Sequence, residues 1–107
     1  MIDEVVWTQG ASADLQEQFE KLEDTADGRG LELIERVDAA MELLKAHPEI
    51  ASRYGTRLRR KLIGKNCEFG LFYSIVGHRI ILAALLDLRQ DPKQILRTLK
   101  QRGVGDQ

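Results

Sequence analysis

Apolar positions along the chain change period three times, and each change marks an element. Val5-Val6-Trp7 is a short β-rich run and predicts a first strand. From Thr8, a plausible N-cap, Ala11, Leu15, Phe19 and Leu22 recur at helical spacing, with Asp14, Glu17, Glu20 and Lys21 off the stripe. The cluster Asp24 to Gly30 breaks this helix. A second stripe, Leu33, Ile34, Val37, Met41 and Leu44, predicts a helix over 31–46, stopped by His47-Pro48 because proline disfavours a helical residue before it. The two stripes pair as an antiparallel hairpin laid on a sheet.

After a connector over 49–55 the period becomes two, predicting strands over 57–63, 67–76 and 79–87 that form an antiparallel meander turned at Gly77. In the middle strand Cys67, Phe69, Leu71, Tyr73 and Ile75 share one face, and Glu68, Gly70, Phe72, Ser74 and Val76 the other. The last strand is apolar on both faces, with Ile80, Leu82, Ala84 and Leu86 set against Ile81, Ala83 and Leu85. A strand with one wet face alternates cleanly, so this one expects two covers. The helical hairpin covers one. The other, around Phe72, Val76, Leu82 and Leu86, is expected to meet a partner chain. Asp91-Pro92-Lys93-Gln94 then reads as a capped helix start, with Ile95, Leu96 and Leu99 on its apolar side.

Composition adds a boundary and a direction. The chain has 107 residues, 43% hydrophobic and 31% charged, which suits one soluble domain spanning 1–107. The longest apolar run, Ile80 to Leu86, is too short for a membrane helix, and the acidic start Ile2-Asp3-Glu4 has no secretory pattern. The single Cys67 makes no internal disulfide, so the expectation is a cytoplasmic protein. Net charge is −1, yet residues 1–52 carry 4 Lys+Arg against 13 Asp+Glu, and residues 53–107 carry 12 against 4. Either the basic half meets something anionic, or the acidic helices neutralise a basic sheet.

Candidate chemistry is sparse. Cys67, His47 and His78 are too scattered for a metal site, Gly28-Arg29-Gly30 lacks the strand that a phosphate loop requires, and no cofactor is expected. What remains is a basic constellation. Strand alternation puts Arg57, Arg59 and Lys61 on one face, with Arg89 leaving the last strand, a set suited to phosphate oxygens or a carboxylate-rich peptide. Charges on an edge strand also serve simply to prevent edge-to-edge association.

The order strand–helix–helix–strand–strand–strand–short helix resembles the RelE/ParE superfamily of bacterial type II toxins over about residues 4–99. The resemblance is carried by Val6-Trp7-Thr8 with Ala11 and Asp14-Leu15, by Leu44 and Pro48 at the helix end, by Leu58-Arg59, by Phe69 and Tyr73, and by Leu85 to Pro92. It implies an α+β fold with a helical hairpin on one face of an antiparallel sheet. It also implies a cognate antitoxin forming a hetero-oligomer with the toxin, with Phe72, Val76, Leu82 and Leu86 as candidate contacts. The target it implies is DNA gyrase or ribosome-bound mRNA, with Arg57, Arg59, Lys61 and Arg89 as candidate effector residues. The mRNA-cutting branch pairs basic side chains with a proton-transfer Tyr or His near the C-terminus. Here neither follows Asp87, and Asp87-Leu88 stands where the family often has His-Gly, so no catalytic residue is assigned and the resemblance favours the gyrase-directed branch.

Overall fold

The computed structural model describes residues 2–103. It contains β1 (Glu4–Trp7), α1 (Gln9–Thr25), α2 (Arg29–Ala46), β2 (Ser52–Tyr54), β3 (Leu58–Ile63), β4 (Phe69–Val76), β5 (Arg79–Asp87) and α3 (Pro92–Gln101). The expected α+β architecture is present, with one more strand than the sequence suggested. Ser52–Tyr54, read as connector, pairs with β3, so the sheet has five strands in the order β1-β5-β4-β3-β2. It is also mixed rather than wholly antiparallel, because β1 runs parallel to β5.

Local chemistry explains the starts of the helices. The Thr8 hydroxyl accepts the Ala11 N–H at 3.2 Å and itself donates to the Leu82 carbonyl at 2.8 Å, so the cap of α1 is also its tether to β5. Asp91 caps α3 by accepting from the Lys93 N–H, with Pro92 at the first helical position. Within its first turn, the Gln94 side-chain oxygen accepts from Arg97 at 2.8 Å. None of the helices is long and apolar enough to cross a membrane among the described residues.

Two apolar layers sandwich the sheet. Against the hairpin lie Leu33, Val37 and Leu44 from α2, with Phe69, Leu71, Tyr73, Ile80, Leu82 and Leu85 from the strands. On the reverse face, Leu58, Phe72, Ala83, Ala84 and Leu86 pack under Ile95 and Leu99 of α3, with Tyr54 and Leu88 at the margin. The partner chain expected over this face is therefore not needed to bury it. A single amphipathic helix of ten residues does so, and Phe72, Leu82 and Leu86 are all buried within the chain. Only Val76 of that set is exposed, at 56%.

The strand alternation also needs correction. Phe72 pairs with Ala84 and Tyr73 with Leu82, so Ala83 is an extra residue in β5. This bulge resets the side-chain phase. Leu82 and Leu85 point to the hairpin, while Ala83, Ala84 and Leu86 all point to α3, in place of the strict Leu82-Ala84-Leu86 face read from the sequence.

The hairpin closes tightly at Gly30. A Cβ there would sit 2.8 Å from the Phe19 carbonyl oxygen and 2.6 Å from its ring, and the Gly30 N–H donates to the Glu23 carboxylate at 2.7 Å. Gly30→Ala is expected to push the two helices apart and to destabilise by about 1–3 kcal/mol, the range for overpacking. Urea unfolding of the variant measures it; an unchanged midpoint would show that the hairpin yields freely.

Candidate functional site

The basic residues singled out in the sequence do not form one patch. Arg59 and Lys61 pair across the sheet with Tyr73 and Leu71, and therefore lie on the hairpin side. Arg57 precedes β3 at the other end of that strand from Ile63. Arg89 follows β5, and β5 is separated from β3 by β4. Arg57 and Arg89 thus occupy opposite ends of the sheet.

Each side chain has its own surroundings. Arg59 is held down: its guanidinium donates to the Ala51 carbonyl at 2.8 Å and the Glu49 carbonyl at 3.1 Å. Beside it the Tyr73 hydroxyl donates to the Pro48 carbonyl at 2.6 Å. These cross-strand neighbours together clamp the segment joining α2 to β2, and burial pushes the Tyr73 phenol above its ordinary pKa. Lys61 lies half-buried under the edge of α2 and donates to the Leu62 carbonyl at 3.2 Å. Arg89 is exposed but folded onto Asp87, donating Nε and a terminal nitrogen to the two carboxylate oxygens at 2.9 and 2.7 Å. That hydrogen-bonded pairing holds the Asp87 carboxyl below the usual carboxylate range.

The sign of this shift gives a test. A carboxyl whose folded pKa is depressed adds stability above its unfolded pKa, and that addition is lost as pH falls through the folded value. Arg89→Ala is expected to return Asp87 toward an ordinary titration, read by carbon NMR of the carboxyl, and to cost under about 1 kcal/mol because the pair is exposed. Wild type and variant should converge in stability in acid. An unmoved Asp87 titration would mean that Arg89 does not hold it in solution.

One grouping was not visible in the sequence. β2 places Arg53 directly across from Arg59, and with Arg57 the two surround a hollow of about 310 Å³ whose lining also includes Glu49 and Ile75. Like charges opposite one another in a ladder are unfavourable, and among the described residues Glu49 is the one carboxylate in the lining. Arg53 and Arg57 are exposed. Three guanidiniums at one sheet corner offer several N–H donors to an anionic group. The alternation of Ser52-Arg53-Tyr54 with a polar residue on one side and an aromatic on the other was the available signal, too short to separate from a loop.

Two side chains with proton-transfer chemistry in and beside β4 are both engaged. Tyr73 is buried with its hydroxyl given to Pro48. Glu68 accepts the Asn66 N–H at 2.8 Å in the β3–β4 turn, and backbone N–H groups, its own first, hold its carboxyl below the ordinary range. No group of three or more His, Cys, Asp or Glu gathers as a metal site among the described residues.

Residues 5–92 match the family model described as ParE toxin of type II toxin-antitoxin system, parDE. Among solved structures, the fold is similar to a chain of the chromosomal ParDE TA system from P. aeruginosa, at 17% identity and a TM-score of 0.58. That likeness covers 81% of this chain and 96% of that one. A comparison with curated proteins gives no match.

Proposed function

The chain belongs to the ParE toxin family of type II toxin–antitoxin systems, and from that premise we propose that it arrests growth in the cytoplasm by acting on DNA gyrase and is held inactive by a cognate antitoxin. The observation that carries the gyrase-directed reading is the contrast between the two kinds of group around the sheet. Two cations, Arg53 and Arg57, are open to a target at the sheet corner, next to the tethered Arg59. Tyr73 and Glu68 are occupied in holding the structure together, and the carboxylate in the hollow, Glu49, lies beside Arg59. RNA cleavage requires both charge stabilisation and proton transfer. Binding to an anionic surface requires only the first.

Arg57 is the informative position because it is exposed and its replacement disturbs no core contact. Purified protein is expected to inhibit supercoiling by gyrase, and induced expression to stop growth with transcripts intact. Arg57→Glu, alone and with Arg53→Glu, is expected to relieve growth arrest at least about tenfold by viable count, since reversing charge at an electrostatic contact costs on the order of 1.4 kcal/mol or more. Transcripts cut in a ribosome-dependent manner, with gyrase unaffected, would replace this reading with that of an mRNA endonuclease.

A further inference from the structure

The charge asymmetry between the two halves of the chain becomes a difference between the two sides of the sheet. α1 and α2 lie on one side and carry nine carboxylates against four Lys+Arg. α3 lies on the other and carries Lys93, Arg97 and Lys100 with no carboxylate. Successive helical residues step round by about 100°, so these three cations fall within about 60° of one another, opposite the buried Ile95 and Leu99. Arg60 faces the same side, since it pairs with Phe72, and its guanidinium lies 5.7 Å from the Tyr54 ring centroid.

The three cations of α3 are exposed and uncompensated. Among the described residues the Lys93 and Lys100 side chains have no hydrogen-bond or ion-pair partner, and Arg97 donates to the neutral Gln94 oxygen at 2.8 Å. Asp91, at the start of the helix, is taken up as its cap. Like charges at these spacings weaken a helix, and only Lys100, in the last turn, gains from the helix dipole. The fold alone therefore does not account for the stripe. A lipid surface is a poor occupant, because the apolar side of α3 is spent on the sheet and only Leu96, at 41%, is exposed. One leucine is also a thin apolar centre for a protein interface. Single-stranded nucleic acid calls for aromatic platforms, and the exposed large hydrophobics include no aromatic among the described residues. A duplex DNA backbone asks only for cations on a convex, rigid rod.

We infer that the outer face of α3 is a sequence-independent contact for the phosphate backbone of duplex DNA, made by Lys93, Arg97 and Lys100. Each cation meets a phosphate and releases its counterion, so the contact is weak at high salt and strengthens steeply as salt falls. The acidic hairpin, on the far side of the sheet, is repelled by the same phosphates and turns the molecule so that α3 leads. A deep, narrow groove makes duplex RNA a poorer match for a helix than duplex DNA. This contact is separate from the action on gyrase, and either can hold without the other.

The test follows fluorescence anisotropy of a short labelled DNA duplex of arbitrary sequence as the full chain is added at several salt concentrations. The logarithm of the affinity is expected to fall against that of salt with a slope of about −3, near −0.9 for each phosphate contact. Arg97→Glu with Lys100→Glu is expected to weaken binding by about tenfold or more and to bring the slope to about −1. Lys21→Glu with Lys45→Glu changes net charge equally on the hairpin side and should stay within about twofold of wild type. On adding the duplex, the amide resonances of α3 should move more than those of α1 and α2. If the α3 reversals disturb folding, Arg97→Gln with Lys100→Gln, which removes charge without reversing it, decides in the same direction. No binding by the wild-type chain at low salt would overturn the inference and leave the action on gyrase untouched. Equal weakening by the hairpin reversals would reduce the effect to net charge and overturn it. A loss confined to Arg53→Glu with Arg57→Glu would move the contact to the arginine corner and overturn it as well. Tighter binding to single-stranded RNA than to the duplex would overturn the assignment to DNA.

Discussion

Phe72→Ala is expected to destabilise the protein by about 3–5 kcal/mol, the range for truncating a buried phenylalanine in a core that cannot collapse around the gap. Phe72 has no exposed surface. It lies under α3 with Leu58, Ala83, Ala84 and Leu86, and Tyr54 meets its ring edge-on at a centroid distance of 5.0 Å. α3 reaches this layer through only two buried side chains, Ile95 and Leu99. Removing the ring therefore takes away the largest fully buried side chain of the layer on which the helix rests. Denaturant unfolding should show the loss, and amide exchange should show α3 opening before the rest of the fold. Combined with Leu99→Ala the effects should fall short of additive, because both changes empty the same space. A loss below about 1 kcal/mol would mean that α3 does not rest on the sheet in solution, and would return this face to a partner chain.

The second large effect is expected at Asp14. β1 ends at Trp7, and β5 continues for five residues beyond its last partner in that strand, leaving an edge that no strand covers. Side chains cover it instead. The Asp14 carboxylate accepts the Leu85 N–H at 2.9 Å and both terminal nitrogens of Arg102 at 2.6 and 2.7 Å. Arg102 also donates to the Ala83 carbonyl at 3.2 Å. Gly10 leaves room for this guanidinium, since a Cβ there would lie 3.0 Å from its Nε. One ion pair thus joins α1, the open edge of β5 and the end of α3.

Asp14→Ala would leave the Leu85 N–H and a largely enclosed guanidinium without their acceptor, at a cost of about 3 kcal/mol. Asp14 is 11% and Arg102 26% exposed at the side chain, so water repays part of the loss on the arginine side. Asp14→Asn keeps an acceptor for Leu85 and should lose about half as much. Thermal or urea unfolding of the two variants checks the ranking. Equal losses would show that the charge, and not the acceptor geometry, matters. Indifference to both would show that the edge is satisfied by solvent.

Legibility of the site tracked the range of the interactions that make it. That the C-terminal half is basic, and that Arg57, Arg59, Lys61 and Arg89 are its chemistry-bearing residues, follows from counting. Their separate fates do not. Arg59 is tied to Ala51 and Arg89 to Asp87, whereas Arg57 joins a corner completed by Arg53 from a strand only three residues long. Pairing across a sheet decides these placements, and no local pattern encodes which residue will stand opposite.

The fold divides along the same line. Local signals determined the two long helices, their stripes, the Thr8 and Asp91 caps and the three long strands, because periodicity and capping act within a few residues of chain. The doubly apolar β5 also announced by itself that both of its faces would be buried. What covers the second face was decided only in three dimensions. The short α3 folds back onto Phe72, the extra residue at Ala83 turns β5 to meet it, and Asp14 with Arg102 locks the end in place. Each of those contacts joins residues far apart in the chain. Their energies depend on geometry that exists only once the rest of the fold has formed.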